Sequence, residues 1–279
     1  MSGAVAISPL EGAAGHSALR LFGGKGGVGK TTCAAAAALA LAQEGQRTLL
    51  FSTDPAHSLG DCLDQTVGPE IVPVRGVPNL DALEVDAEGM LKRFKEENAT
   101  GLREVFATGT YLDGTDIDDL LSLTIPGLDE VMGLKMVMDL MGENGYSAYV
   151  LDTAPTGHAL RLLSMPAVVE GWIQVLAKMR FKYREVVYRL SRNAAQTPAD
   201  DFLFGMKRTI KKLRALFKDP ARCEFVVVTI PQALAVEESA RLLETLSRFG
   251  VSVRSIIVNG LVPEGPGDCS FCRARREEQ

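Results

Sequence analysis

The stretch Gly24-Lys25-Gly26-Gly27-Val28-Gly29-Lys30-Thr31-Thr32 restricts this chain more than any other, because it contains G-x-x-x-x-G-K-[ST] from Gly24 to Thr31. Ahead of it stands an apolar strand reading, Ala18 to Phe22. Behind it runs an alanine-rich segment, Cys33 to Ala42, with strong helix propensity. Strand, loop and helix form the setting that a phosphate-binding loop needs. The glycines permit a tight turn in which several backbone N–H groups converge on an anion. The first helical turn adds positive potential. Lys30 then reaches the β- and γ-phosphates of a nucleoside triphosphate, and the Thr31 hydroxyl reaches Mg²⁺. The pattern predicts a nucleoside-triphosphate and Mg²⁺ site built from Gly24, Lys25, Gly26, Gly27, Val28, Gly29, Lys30, Thr31 and Thr32.

Lys25 departs from the simplest form of the motif. An early second lysine is similar to the deviant P-loop of a large group of dimeric ATPases, in which it crosses to the partner's nucleotide. A cation there stabilises charge developing between the β- and γ-phosphates, as an arginine finger does. Taken alone, Lys25 also reads as a solvated loop lysine.

Two further strand readings end in acids. Gln46 to Thr53 runs into Asp54-Pro55-Ala56-His57-Ser58-Leu59, and Tyr146 to Leu151 runs into Asp152-Thr153-Ala154-Pro155-Thr156-Gly157-His158. Ligands of open α/β folds bind at the carboxyl edge of the sheet, where such acids lie. Asp54 reads as the carboxylate that orients the attacking water, or as a helix N-cap. Asp152 resembles the acid that holds Mg²⁺ directly or through water. Gly157 leaves its loop free to respond to a γ-phosphate. His57 reads as a structural histidine.

The remaining strand readings are Pro78 to Asp86, Cys223 to Thr229 and Val253 to Asn259, with a helix from Ala235 to Phe249 between the last two. Alternating strands and helices predict an α/β fold, a doubly wound, mostly parallel sheet of the P-loop NTPase type with an inserted helical subdomain. Residues 1–17 read as a flexible leader. Residues 18–279 read as a single domain, with helical insertions at about 87–145 and 164–220. Leu128 to Met141, with Met132, Met136, Met138 and Met141, is apolar nearly all round and reads as core rather than as an adaptable binding surface. Trp172, Leu176, Met179, Tyr183, Val186, Val187 and Leu190 form an apolar helical stripe. Thr197 to Asp201 is expected to break and cap the chain before a helix from Phe202 to Phe217.

Composition narrows the partners. A net charge of −5 does not favour a nucleic-acid surface. No run approaches the length of a spanning helix, and residues 1–17 lack the pattern of a signal peptide. Five cysteines in no disulfide-like framework suit a cytoplasmic protein. Cys269-Ser-Phe-Cys272 supplies two thiolates, half of a structural zinc site, and a two-fold dimer would supply the rest. A redox pair, with thiol pKa values lowered by Arg273, Arg275 and Arg276, and an incidental spacing are the other readings.

These segments together resemble one family, the arsenite-pump ATPases and the guided-entry ATPases that target tail-anchored membrane proteins. The matching pieces are GGKGGVGKTT (23–32), DPAHSL (54–59), TIPGLDE (124–130), DTAPTGHALRLL (152–163), IIVNG (256–260) and the CSFC pair. The resemblance implies that Asp54 activates water, Asn259 contacts the adenine, and Cys269 and Cys272 share one zinc across a homodimer. It implies a hydrophobic client groove in the helical insertions, closed by ATP, with apolar transmembrane segments and a membrane receptor or channel as partners. It also implies a further strand and adenine loop, whereas the chain stops seven residues after Cys272. Ser122 and Thr124 stand near the IPG segment with no cysteine beside them, which disfavours arsenite binding. A subunit of an arsenite or oxyanion pump is the alternative reading. A spatial regulator like the division-site or partition ATPases is a third; the tail Arg273–Gln279 is too short for its membrane helix or DNA patch.

Overall fold

The computed structural model describes residues 18–54, 58–109, 135, 136, 138–142, 145–153, 170, 171, 174, 177, 178, 197–262 and 269–278. The segments TIPGLDE and Ala154 to Leu163, together with Pro55 to His57, Met132 and the named stripe residues from Trp172 to Leu190, lie outside the described residues. The chain divides into two units. One takes Met1–Asp86, Leu140–Leu163 and Leu216–Gln279, and the other takes Ala87–Asp139 and Ser164–Ala215.

The first unit carries a seven-stranded sheet in the order β3-β4-β2-β5-β1-β6-β7. Its strands are β1 (Ala18–Gly23), β2 (Thr48–Ser52), β3 (Val72–Pro73), β4 (Leu80–Glu84), β5 (Ala148–Asp152), β6 (Cys223–Thr229) and β7 (Val253–Val258). Every pairing is parallel except that of the two-residue β3 with β4. β2, β5 and β6 are buried at every position, which is why they read as unbroken apolar runs. β7 alternates half-buried with exposed residues, as an edge strand does. Helices α1 (Lys30–Gln43) and α2 (Ser58–Leu63) follow β1 and β2.

Alanines let α1 lie close to the sheet. Ala34, Ala37, Ala38, Leu41 and Ala42 pack with Phe22, Leu50, Val150, Val226 and Val228 in one core. The helix ends on Gly45, at φ +84°, where Gly45 N donates to Ala42 O and Gln46 N to Leu41 O. Those two bonds satisfy carbonyls that the helix end leaves open.

The second unit contains α3 (Ala87–Glu97), α4 (Ala99–Gly109) and most of α5 (Pro198–Lys218). Gly101 brings α4 against α5, since a Cβ there would lie 2.9 Å from Pro198 O. Glu104 accepts a hydrogen bond from Ala199 N at 3.1 Å, and the Phe94 and Phe202 rings meet at 6.0 Å. The helix begins four residues before the expected start at Phe202. Pro198 loses nothing in the first turn, where its N–H would be unpaired, and Asp200 Oδ2 accepts from Thr197 N at 3.2 Å. Met136, Met138 and Met141 are half-buried rather than core. Two later helices, α6 (Ala233–Phe249) and α7 (Ser270–Glu278), complete the first unit. Among the described residues, no helix is long and apolar enough to cross a membrane.

Among the ion pairs of the described residues in the first unit, one is buried. Arg20 and Glu224 are register partners on β1 and β6, with Nε to Oε1 at 3.2 Å and side chains 4% and 5% exposed. Burial pushes the arginine down and the glutamate up, and each charge opposes the other's shift. Removing one partner leaves a buried charge uncompensated, which costs about 3–5 kcal/mol, whereas replacing both with apolar groups is far milder. Glu224→Ala is therefore expected to lose about that much in urea unfolding, and Arg20→Met with Glu224→Leu much less. Equal losses in the two proteins would show that the pair is not a desolvated unit.

Candidate functional site

The carboxyl ends of β1, β2, β5, β6 and β7 share one edge of the sheet, and the loop after β1 turns there into α1. Two of its neighbours explain its glycines. A Cβ on Gly24 would sit 2.0 Å from Val228 O, and one on Gly29 would sit 2.4 Å from Asn259 Nδ2. Gly29 also has φ +88°, in the left-handed region that favours glycine. It precedes α1 without a side-chain cap, and the first turn carries no acid. The open N–H groups are left available to an anion. Val28 is buried, Lys25 and Gly29 are half-buried, and Gly26, Gly27 and Thr32 are exposed.

Lys30 is buried, and its Nζ donates to Lys25 O at 3.4 Å. Burial pushes its pKa down, while Asp152 and then Asp54 pull it up, so both acids lie within its field. The Thr31 hydroxyl donates to Asp152 Oδ2 at 2.7 Å, and the Ser52 hydroxyl reaches the same oxygen at 3.4 Å. Asp54 N donates to Ser52 Oγ at 3.1 Å. Residues from α1, from the end of β2 and from the end of β5 thus meet within one hydrogen-bonded group.

Asp152 is fully buried, and its Oδ1 has no hydrogen-bond partner among the described residues. Burial, first of all, pushes its carboxyl up to about 6, against the pull of the Thr31 hydrogen bond and of Lys30. An orphan carboxylate oxygen beside a hydroxyl is a hard oxygen donor set, of the kind that Mg²⁺ takes together with water and phosphate oxygens. The residues present fit the cation that accompanies ATP.

With that geometry in view, comparison with known proteins is decisive. The family model described as Anion-transporting ATPase matches residues 18–279. The chain is 38% identical over 276 residues to ATPase GET3C of Arabidopsis thaliana, covering 93% of this chain and 71% of that protein. It is 34% identical over 266 residues to ATPase ASNA1 homolog 1 of Paramecium tetraurelia, covering 92% and 78%. ATPase GET3 of Malassezia globosa is 35% identical over 263 residues, covering 92% and 77%. The chain belongs to the anion-transporting ATPase family. It hydrolyses ATP, and Mg²⁺ is the cation that Thr31 and Asp152 would hold.

Other residues of the ATPase lie around this group. Asn259, just past β7, donates from Nδ2 to Val28 O at 2.9 Å. Glu84 ends β4, and its Oε1 accepts from Leu59 N and Gly60 N at 3.2 and 3.1 Å. It thereby ties down α2, which follows the Asp54 segment. Glu84 and Ser52 belong to no motif that the sequence displays. Glu84 had a signal, an acid closing an apolar strand, whereas Ser52 becomes visible only through its register with Asp152.

The cysteines fall elsewhere. Cys272 N donates to Cys269 Sγ at 3.5 Å, at the start of α7. The expected lowering by arginines is overturned for Cys272. Its hydrogen bond with Cys269 pushes its pKa up and outweighs the pull of Arg276. Cys223 is buried, Cys33 half-buried and Cys62 exposed. No group of three or more His, Cys, Asp or Glu suited to a metal occurs among the described residues.

Asp152 yields a pH signature. Its folded value, about 6, stands above the roughly 3.9 of an unfolded aspartate. The stability tied to its protonated form is complete below about pH 4 and lost as pH rises through about 6. Asp152→Asn is expected to flatten that part of the stability–pH curve. At pH 7 it should stabilise the nucleotide-free protein by on the order of 2–3 kcal/mol. Mg²⁺-dependent ATP affinity should fall below pH 6 in the parent and be weak at every pH in the variant. Urea unfolding and nucleotide titrations between pH 5 and 8 read both outcomes.

Proposed function

We propose that this ATPase works as a cytoplasmic homodimer that shields apolar segments of membrane proteins, tail-anchored proteins among them, and delivers them to a membrane receptor. The observation that carries the enzymatic half is the meeting of Lys30, Thr31, Ser52, Asp54 and Asp152 at one sheet edge. The targeting half rests on the likeness to the guided-entry ATPases and on the helical unit. There a groove of about 660 Å³ is lined by Met90, Phe94, Phe202 and Met206, among polar neighbours. Residues 18–279 form one P-loop domain in this reading, with its helical insertions serving as the client-binding part.

In hydrolysis, the loop amides and Lys30 hold the phosphates. Asp54 orients a water and takes its proton as the oxygen attacks the γ-phosphorus, and the bond to ADP breaks. Mg²⁺, when bound, offsets charge on the phosphate oxygens. Lys25, half-exposed on the loop, acts across the dimer on the partner's nucleotide. Asn259 reaches the adenine side of the site. Closure around ATP assembles the groove from both copies.

Cys269 and Cys272 would hold one zinc with the same pair from the second copy. The sulfur-to-amide bond that sets both residues on one helical turn supports this reading, since two thiolates per chain meet the need for four.

Asp54→Asn is expected to bind ATP with near-parental affinity while turnover falls about 100-fold or more, because an amide cannot accept the proton. Turnover at the parent rate would reduce Asp54 to a cap. The targeting reading is tested by ATPase assays with an apolar tail peptide and, separately, with arsenite. Peptide binding that depends on nucleotide supports it, and stimulation by arsenite alone points to metalloid transport instead.

For the metal, reduced protein is expected to carry about one zinc per dimer, and Cys269→Ser with Cys272→Ser to shift the mass towards monomer. Zinc-free dimers indifferent to chelator would remove the clamp.

A further inference from the structure

We propose that Asn259 is a brace for the phosphate loop: its side-chain amide pins the Val28 carbonyl and so sets the peptide from which α1 starts. This rests on reading Gly24 to Thr31 as the ATP site, and it goes beyond the adenine contact that the family resemblance assigns to Asn259.

Three hydrogen bonds fix Asn259 itself. Its backbone N donates to Thr229 O at 2.7 Å, tying the end of β7 to the end of β6. Gly260 N donates to its Oδ1 at 2.9 Å, which settles the orientation of the amide. Nδ2 is thereby aimed at Val28 O, 2.9 Å away. The contact is close enough that a Cβ on Gly29 would lie 2.4 Å from the same nitrogen. Gly29 therefore serves twice, through its φ of +88° and through the room that it leaves for Asn259.

The consequence follows from peptide geometry. A trans peptide puts its carbonyl and its N–H on opposite sides. Holding the Val28 carbonyl towards Asn259 turns the Gly29 N–H the other way. That N–H is one of the loop amides that cradle phosphate. The Val28 side chain is buried in the core beneath, so the peptide is held from both of its ends. Preset donors lose no affinity to rearrangement when the anion arrives. On this account Asn259 governs phosphate affinity without touching phosphate.

A brace and a base contact differ in one measurable respect. Inorganic tripolyphosphate with Mg²⁺ carries the phosphates but no base, and it should compete with ATP for the loop. In Asn259→Ala, and equally in Asn259→Leu, which keeps the volume but cannot donate, the KM for ATP and the Ki of tripolyphosphate are expected to rise together, by about tenfold. The kcat should fall less than KM rises. A merely structural loss would lower the active fraction, and hence kcat, while leaving both constants in place. A rise in KM for ATP with an unchanged Ki for tripolyphosphate would make Asn259 a base-reading residue and overturn the brace. Unchanged constants for both ligands would overturn it as well. Failure of tripolyphosphate to compete even in the parent would count against the phosphate-loop assignment, and the brace would fall with it.

Discussion

The hydrogen bond from Thr31 to Asp152, 2.7 Å long, joins the first turn of α1 to the last residue of β5. The rest of the site depends on its being possible. It requires β5 to lie beside β1 in one register, with Phe22 opposite Asp152. A slip of one residue would turn Asp152 to the other face of the sheet. Register is secured at the opposite end of the strands. The Tyr146 hydroxyl donates to Asp81 Oδ2 at 2.7 Å, and the Arg47 guanidinium lies 4.5 Å from the Tyr146 ring centre. Burial, and then the bond to Asp81, pushes the Tyr146 phenol up to about 12, so its proton stays in place at neutral pH. This clasp spans the starts of β2, β4 and β5. A structural clasp at one end of the sheet and a reactive carboxylate at the other belong to one arrangement.

Charge is buried at two places on the face covered by α1, with different results. Arg20 and Glu224 are paired across neighbouring strands, so that each offsets the other's desolvation. Asp152 faces Lys30 and Asp54 but keeps Oδ1 without a described partner. A chain folding for stability alone would satisfy that oxygen. That unmet demand lies where the cation accompanying a triphosphate brings the missing positive charge. Local destabilisation at a ligand site is a common cost of preorganisation.

Much of this was legible in the sequence, and the rest has a common cause. The phosphate loop, Asp54 and Asp152 are local signals, each carried by a strand and the few residues after it. Ser52, Glu84 and the Val28–Asn259 bond are relations between distant segments. Ser52 meets Asp152 across 100 residues, and Asn259 meets Val28 across 231. No periodicity records such pairings, because they depend on strand order. The start of α5 was missed for a different reason. Pro198 reads as a breaker by composition, yet a helix accepts proline in its first turn. For Cys272 the sequence displays the neighbouring arginines, whereas the Cys269 sulfur that pushes its pKa up is brought to it by the helical turn.

Strand order also explains why the loop is braced from β7. Among the described residues β7 pairs only with β6, and it exposes Arg254, Ile256 and Val258. An edge strand held on one side frays more readily than a central one. Its inner face has Ile257 against the core, and its end is fixed by the bonds of Asn259 to Thr229, Gly260 and Val28. Each such bond contributes about 1 kcal/mol net, so together they are comparable with the free energy of a local opening. The shape of the phosphate loop is thus tied to an edge strand of the sheet. A nucleotide that binds only the braced loop stabilises the end of β7 by mass action, and anything that steadies β7 strengthens nucleotide binding by the same factor.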